Sequence, residues 1–273
     1  MPASALLLAL AAAVIHALWN VLLARARDTE AATALAVLIG VVTFTVPAVL
    51  TWDVDRDVWP YVVGSTAFEL AYLALLAAAY RRSELSLVYP LARGVAPVLV
   101  LVVGVAALGA GTSPAQAAGV CLVGLGVLLV RGFRRGANAR GVVFGLTIAV
   151  CIAGYTLIDN GGVEHARAIP YLILVMTPAA LAYAGAILWL RGVAPFRAEL
   201  NLSTLAAGVA SLSSYVLALA ALQLAAAAPV AAVRETSVVI AAVLAWAVLK
   251  EPVGPARLGG AVLVAGGIGL LGA

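Results

Sequence analysis

Apolar positions in this chain fall into ten stretches of about twenty residues each, the length that crosses a hydrocarbon layer as a helix. They lie near 4–24, 31–51, 59–80, 85–109, 114–131, 139–159, 168–191, 203–224, 227–249 and 256–272. Unbroken apolar runs of that length predict helices, because a helix satisfies its own backbone hydrogen bonds in lipid. A β-barrel would show short alternating segments, and the chain has none. The polar breaks between the runs are too short for a soluble domain. The pattern predicts an all-α membrane protein of ten transmembrane helices.

The longest basic break, RGFRRGANAR (131–140), separates five segments from five. Sliding the end of the chain onto its first half aligns Arg93–Val130 with Arg234–Leu271 without a gap. Alanine, leucine and valine matches mean little in such a composition. The pairs Arg93/Arg234, Pro114/Pro255, Gly119/Gly260 and Gly126/Gly267 mean more. A charge at a helix centre costs roughly 2.5–3.5 kcal/mol on insertion scales, so its recurrence requires a use. Earlier in each half, AVIHALWN (13–20) overlays AVCIAGYT (149–156) more loosely and sets Trp19 against Tyr155. A five-helix unit ends on the opposite side from its start. Residues 1–137 and 138–273 therefore read as two inverted five-helix repeats, with a binding site expected at mid-membrane between them.

Composition adds direction to this picture. Only 10% of residues are charged and 65% are hydrophobic. Leaving aside Arg93 and Arg234, the basic residues Arg25, Arg27, Arg81, Arg82, Arg131, Arg134, Arg135, Arg140, Arg191, Arg197, Lys250 and Arg257 all fall on one side of the ten-helix topology. Arg56 and Arg167 fall on the other. The positive-inside rule places the first group in the cytoplasm and both termini on the periplasmic or extracellular side. The pI near 9.3 is thus a topology signal, and no nucleic-acid partner is expected. The dominance of Arg over Lys and the abundance of Ala point to a GC-rich bacterial gene and an inner (plasma) membrane location. The first segment lacks a basic n-region and runs through polar residues, which argues against a cleaved signal peptide. Cys121 and Cys151 lie inside helices and read as small buried residues.

The polar residues inside the runs carry the candidate chemistry. Arg93 sits in the fourth segment, bracketed by Pro90 and Pro97, with Ser86 and Tyr89 on its face. Arg234 opens the ninth segment, with Ser237 one turn on. An arginine keeps its charge, so each must meet a carboxylate, a carbonyl or an anionic ligand. Glu69 and Glu235 are the intramembrane counter-ions available to them. Both pairing and proton coupling are open to these two acids, and a Glu69–Arg93 ion pair is one arrangement. His16, Trp19 and Asn20 share a face of the first segment, and His16 adds a third group able to take up a proton. Tyr72, Tyr89, Tyr155 and Tyr215 are suited to lining an amphipathic cavity. Asp159 and Gln223, near segment ends, are expected to face a loop and solvent. Glu251 reads as a helix-exit residue. Pro47, Pro178 and Pro229 mark further bends or starts. The Gly-rich fifth and tenth segments read as packing faces, which leaves both a monomer and a homodimer open. No metal-ligand spacing, nucleophile–base pair or phosphate loop is present, so neither an enzyme nor a bound cofactor is expected.

Three stretches resemble the EamA-type branch of the drug/metabolite transporter superfamily. They are HALWN (16–20), AYRRSELSLVYPLARGVAPVLV (79–100) and LKEPVGPARLGGAVLVAGGIGL (249–270). The resemblance implies a secondary transporter whose cavity is built from helices 1–4 and 6–9, with helices 5 and 10 peripheral. Export is the direction it implies. The small multidrug-resistance relatives carry an essential acid in their first helix, and this chain has none there. The expectation is a transporter of a small polar metabolite bearing a carboxylate or other anionic group, such as an amino acid or organic acid. Arg93, Arg234, Trp19, Asn20, Ser237 and the four tyrosines would contact it. The alternative is an exporter of amphipathic or cationic compounds in which the arginines are structural.

Overall fold

A computed structural model describes residues 1–82, 85–131, 139–249 and 254–272. Among these the chain forms α1 (Ala3–Leu23), α2 (Thr29–Leu50), a 3-10 turn (Arg56–Val58), α3 (Trp59–Arg82), α4 (Leu85–Leu108), α5 (Pro114–Arg131) and α6 (Ala139–Gly162). It continues with α7 (Ala168–Arg191), α8 (Ala194–Glu199), α9 (Leu202–Leu222), α10 (Ala227–Arg234), α11 (Thr236–Leu249) and α12 (Pro255–Gly272). Eight of the described helices are long and apolar enough to cross a membrane, and α5 contributes a slightly shorter apolar one. The boundary between the expected repeats, at 137/138, and Glu251 lie outside the described residues.

Local chemistry sets the helix ends where the apolar pattern placed them. Asp28 caps α2 by accepting the Ala31 N–H at 3.1 Å, and Asn201 caps α9 by accepting that of Thr204 at 3.1 Å. Ser113 and Gln116 bond each other's backbone N–H around Pro114, a capping box with proline at the first helical position. Gly109 and Gly192 end α4 and α7 at φ 66° and 72°, a region that glycine enters without a Cβ penalty. Large apolar side chains such as Leu50, Trp189, Leu190 and Val262 remain exposed. They form the surface that a bilayer covers.

Two differences from the pattern matter. The connection after α7 folds into α8, which the hydropathy did not reveal. The ninth apolar run is two helices rather than one, broken at Glu235. There the Val238 N–H turns to the Glu235 carbonyl at 3.0 Å and the Glu235 N–H to the Ala232 carbonyl at 3.1 Å. Among the described residues, the Thr236 and Ser237 N–H groups take no hydrogen bond. A lipid-facing helix would not leave them bare, so the break is tolerated only where protein or a water-filled cavity surrounds it.

The recurring glycines are explained by α5 against α12. A Cβ on Gly119 would meet the Gly267 carbonyl at 2.9 Å, and one on Gly126 would meet that of Gly260 at 2.6 Å. The positions repeated in the two halves thus pack on each other across the molecule and bring two backbones into contact. Around them, α1 packs on α9 as α6 packs on α3, the same contact made from each half to the other.

The two ends of the bundle differ. At one, the α2–α3 and α6–α7 connections pair through a Val54–Ala166 bridge, and the Asp55 N–H donates to the His165 carbonyl at 2.8 Å. Arg167 and Asp53 add an ion pair at 3.1 Å. At the other end, Arg191 binds Asp28 and, at 3.4 Å, Glu30, while the Asp28 N–H donates to buried Glu199 at 2.8 Å. That clasp joins α2, α7 and α8 at the side, so the space between α1 and α2 stays clear.

Candidate functional site

Between the halves lies a cavity of about 510 Å³. Its wall takes residues from α1, α2, α3, α4, α6, α7, α9, α10 and α11, and none from α5 or α12. It reaches Ala24 and Thr29, at the facing ends of α1 and α2. The paired connections lie at the opposite end, and none of their residues lines it.

Arg93, on α4, is buried and bonded through both terminal nitrogens. Its Nη1 donates to Glu235 Oε1 at 3.1 Å, and its Nη2 lies 2.6 Å from His16 Nε2. A guanidinium only donates, so His16 must accept with a neutral ring, its proton on Nδ1. Arg93 also lies over the Tyr89 ring at 5.4 Å. The carboxylate therefore comes from Glu235 and not from Glu69, and Glu235 stands behind the arginine rather than on the cavity wall.

Arg234 occupies the equivalent place in the second repeat and has other surroundings. It lines the cavity with its guanidinium over the Tyr215 ring at 5.7 Å. Among the described residues it forms no ion pair or hydrogen bond. Two residues on, α11 begins at Thr236, with the positive end of its dipole there. The Ser237 hydroxyl, 2% exposed and on the cavity wall, has no partner, and neither has the Trp19 indole N–H. Cationic and N–H donors at a helix start are the chemistry that suits an anion.

Glu69 faces the same cavity from the middle of α3. Tyr72, Tyr155 and Tyr215 form an aromatic wall, with successive ring centroids 6.3 Å and 6.2 Å apart. Trp19 packs edge-on to His16 at 5.0 Å, and Asn20 donates one amide hydrogen to the His16 carbonyl at 2.7 Å. Every residue expected at the site from the sequence lines this one cavity except Glu235. No group of His, Cys, Asp and Glu side chains among the described residues is placed to hold a metal.

Asp159 corrects the sequence reading. Expected at a solvated helix end, it is 1% exposed. It accepts hydrogen bonds from Ser65 at 2.5 Å and Tyr171 at 2.9 Å on Oδ1, and from Tyr215 at 2.6 Å on Oδ2. The apolar run 139–159 ended on it, which disguised it as a boundary residue; α6 in fact continues to Gly162. Its place one turn after Tyr155 on the same helix face was the available signal. Gln223 is exposed as expected, but it also donates to the Val163 and Ala166 carbonyls at 3.2 and 3.3 Å, tying α9 to the closed end. Thr33, Ser211 and Ser214 add hydroxyls to the wall that the sequence reading did not single out.

Comparison with known proteins agrees with this architecture. The family model described as "EamA-like transporter family" matches residues 3–132 and again 139–273. A solved structure titled "Crystal structure of protein" superposes with a TM-score of 0.77 at 17% identity, covering 99% of this chain and 96% of that one. That likeness concerns the fold alone. No curated protein matches the chain.

Proposed function

The chain belongs to the EamA-like transporter family, and from that premise we propose that it is a secondary transporter of small carboxylate-bearing metabolites, α-amino acids and organic acids foremost. The carrying observation is the contrast in pairing: Arg93 forms an ion pair with Glu235, whereas Arg234 faces the cavity in no ion pair among the described residues. A carboxylate on Arg234 would gain the guanidinium fork, the Ser237 hydroxyl and the bare N–H groups at the start of α11. Glu69 supplies a negative group on the same cavity wall, which suits the ammonium of an amino acid. Tyr72, Tyr155 and Trp19 offer apolar faces to a side chain.

In this reading the two repeats alternate access around the site. The cavity is continuous with the α1–α2 end, flanked by Arg25 and Arg27, and the positive-inside rule makes that the cytoplasmic side. In this reading the substrate loads from the cytoplasm and is released across a bacterial inner membrane, the export direction that the family resemblance implies. The second reading, a carrier of amphipathic cations, draws on Glu69 and the aromatic wall, which together suit a cation as well.

Thermal unfolding of the detergent-solubilised protein with a panel of amino acids, organic acids, phosphonates and lipophilic cations decides between them. Stabilisation by carboxylates that is lost in Arg234→Gln supports the anion cradle. A charge-assisted hydrogen bond contributes about 1.5–3 kcal/mol, so affinity should fall by about 10- to 100-fold. Stabilisation by cations only, lost in Glu69→Gln and kept in Arg234→Gln, supports the alternative.

A further inference from the structure

Asp159 is a buried acid for which the cavity gives no immediate role, yet one side chain links it to the cavity. Tyr215 lines the wall, carries Arg234 on its ring face, and donates its hydroxyl to Asp159 Oδ2 at 2.6 Å. Glu69 lines the same cavity wall as Tyr215. Ser65 lies one turn before Glu69 on α3, nearer the closed end, and binds the far oxygen of Asp159 together with Tyr171. The three groups Glu69, Tyr215 and Asp159 therefore run in order from the open cavity toward the sealed connections.

We propose that Glu69, Tyr215 and Asp159 form a proton relay, with Asp159 the terminal acceptor at the closed end. The step moves one proton. The Glu69 carboxylic O–H breaks and its proton bonds to the Tyr215 oxygen, while the Tyr215 O–H breaks and its proton bonds to Asp159 Oδ2. Tyr215 ends as a neutral phenol with its hydroxyl turned toward Glu69, which is now a carboxylate. Asp159 is the neutral acid.

The charged and titratable neighbours fit that exchange. Asp159 feels Glu69 from α3, Tyr171 from α7, Tyr215 from α9 and Arg234 from α10, while Tyr155 and Cys151 lie one and two turns back on α6. Ser65, one turn from Glu69 on α3, bonds Asp159, so the two acids share one region of the bundle, where like charges disfavour ionising both. Arg234 bears on both acids, and its guanidinium rests on the relay's central ring. An anion captured by Arg234 would therefore alter the relay directly. This coupling clause rests on the transport reading above; the relay itself does not.

The test is infrared spectroscopy of the lipid-reconstituted protein with no substrate. At acidic pH the carboxylic C=O bands of the two acids are assigned by their loss in Glu69→Gln and Asp159→Asn. Transfer to D2O then times the exchange of each proton. In the wild type both bands shift promptly. In Tyr215→Phe the Glu69 band still shifts promptly, while the Asp159 band lags by at least about 100-fold, the low end of what a positioned proton donor contributes. Ser65→Ala, which removes a different donor to Asp159, keeps prompt exchange and shows that loosened packing is not the cause. Absence of an Asp159 band while the protein remains folded overturns the proposal, and so does unslowed exchange in Tyr215→Phe. If no carboxylate stabilises the wild type in the ligand panel, the substrate reading fails, and the infrared result still decides the relay.

Discussion

Arg93 and Arg234 occupy one position of a repeated sequence and lead different lives. The difference traces to the residue that follows each. After Arg234 comes Glu235, whose side chain crosses to Arg93 at 3.1 Å. After Arg93 comes Gly94, which has no side chain to return, and a Cβ there would meet the Gly124 carbonyl at 2.9 Å. The single carboxylate of this pair of positions thus goes to Arg93, and the close approach of α4 to α5 leaves no room for a side chain at Gly94 to return one to Arg234. The lesson is that an internal repeat supplies two similar frames, while one unmatched neighbour turns one arginine into a fastening and leaves the other facing the cavity.

The largest effect expected from breaking this asymmetry is at Glu235. Glu235→Ala strands a buried guanidinium, and removing one partner of a buried pair costs about 3–5 kcal/mol. Thermal unfolding in detergent should show a severe loss. The double change of Arg93 and Glu235 to leucine and methionine should recover most of it, because the remaining site no longer buries a charge. Equal instability of single and double variants would mean that Arg93 is held by something other than that ion pair. Arg234→Gln, by contrast, should leave unfolding almost unchanged and remove ligand stabilisation.

A sharper control uses repeated positions whose roles stayed alike. Gly126 and Gly260 each present a backbone carbonyl to the other at 2.6 Å from a notional Cβ. Gly126→Leu and Gly260→Leu should each lower stability by about 1–3 kcal/mol through overpacking, and by similar amounts. Ligand affinity should not move, since neither α5 nor α12 lines the cavity. A pronounced difference between the two variants would show that the glycine contact is not reciprocal.

The smallest effect belongs to an ion pair in contact with water. Burial alone would raise the Asp28 carboxyl, but the Arg191 hydrogen bond and the Ala31 N–H outweigh it and hold it below its ordinary range. A depressed acid stabilises the fold above its unfolded pKa, about 3.9, and that contribution is lost as pH falls through the folded value. Asp28→Asn should therefore cost stability at neutral pH and nothing at strongly acidic pH. With both partners partly exposed, about 1 kcal/mol or less is expected. Unfolding curves of the variant and wild type should converge on acidification.

The sequence by itself determined the apolar runs, the inverted repeat, the Gly-rich fifth and last segments as packing faces, and nearly the whole polar set of the cavity. Each of these is written along single helices, where the cost of a polar group in lipid makes every intramembrane charge and hydroxyl conspicuous. The tertiary structure alone decided the allocation of partners. Glu235 goes to Arg93 and not to its neighbour, His16 is held neutral by the same guanidinium, and the ninth run breaks so that α11 begins at the cavity. Asp159 is buried under three hydroxyls from α3, α7 and α9, although its own helix marks it as an end. Periodicity reports which side of a helix is polar. Which carboxylate meets which guanidinium depends on distances of a few ångströms between helices far apart in the chain, and one helix's pattern carries no record of them.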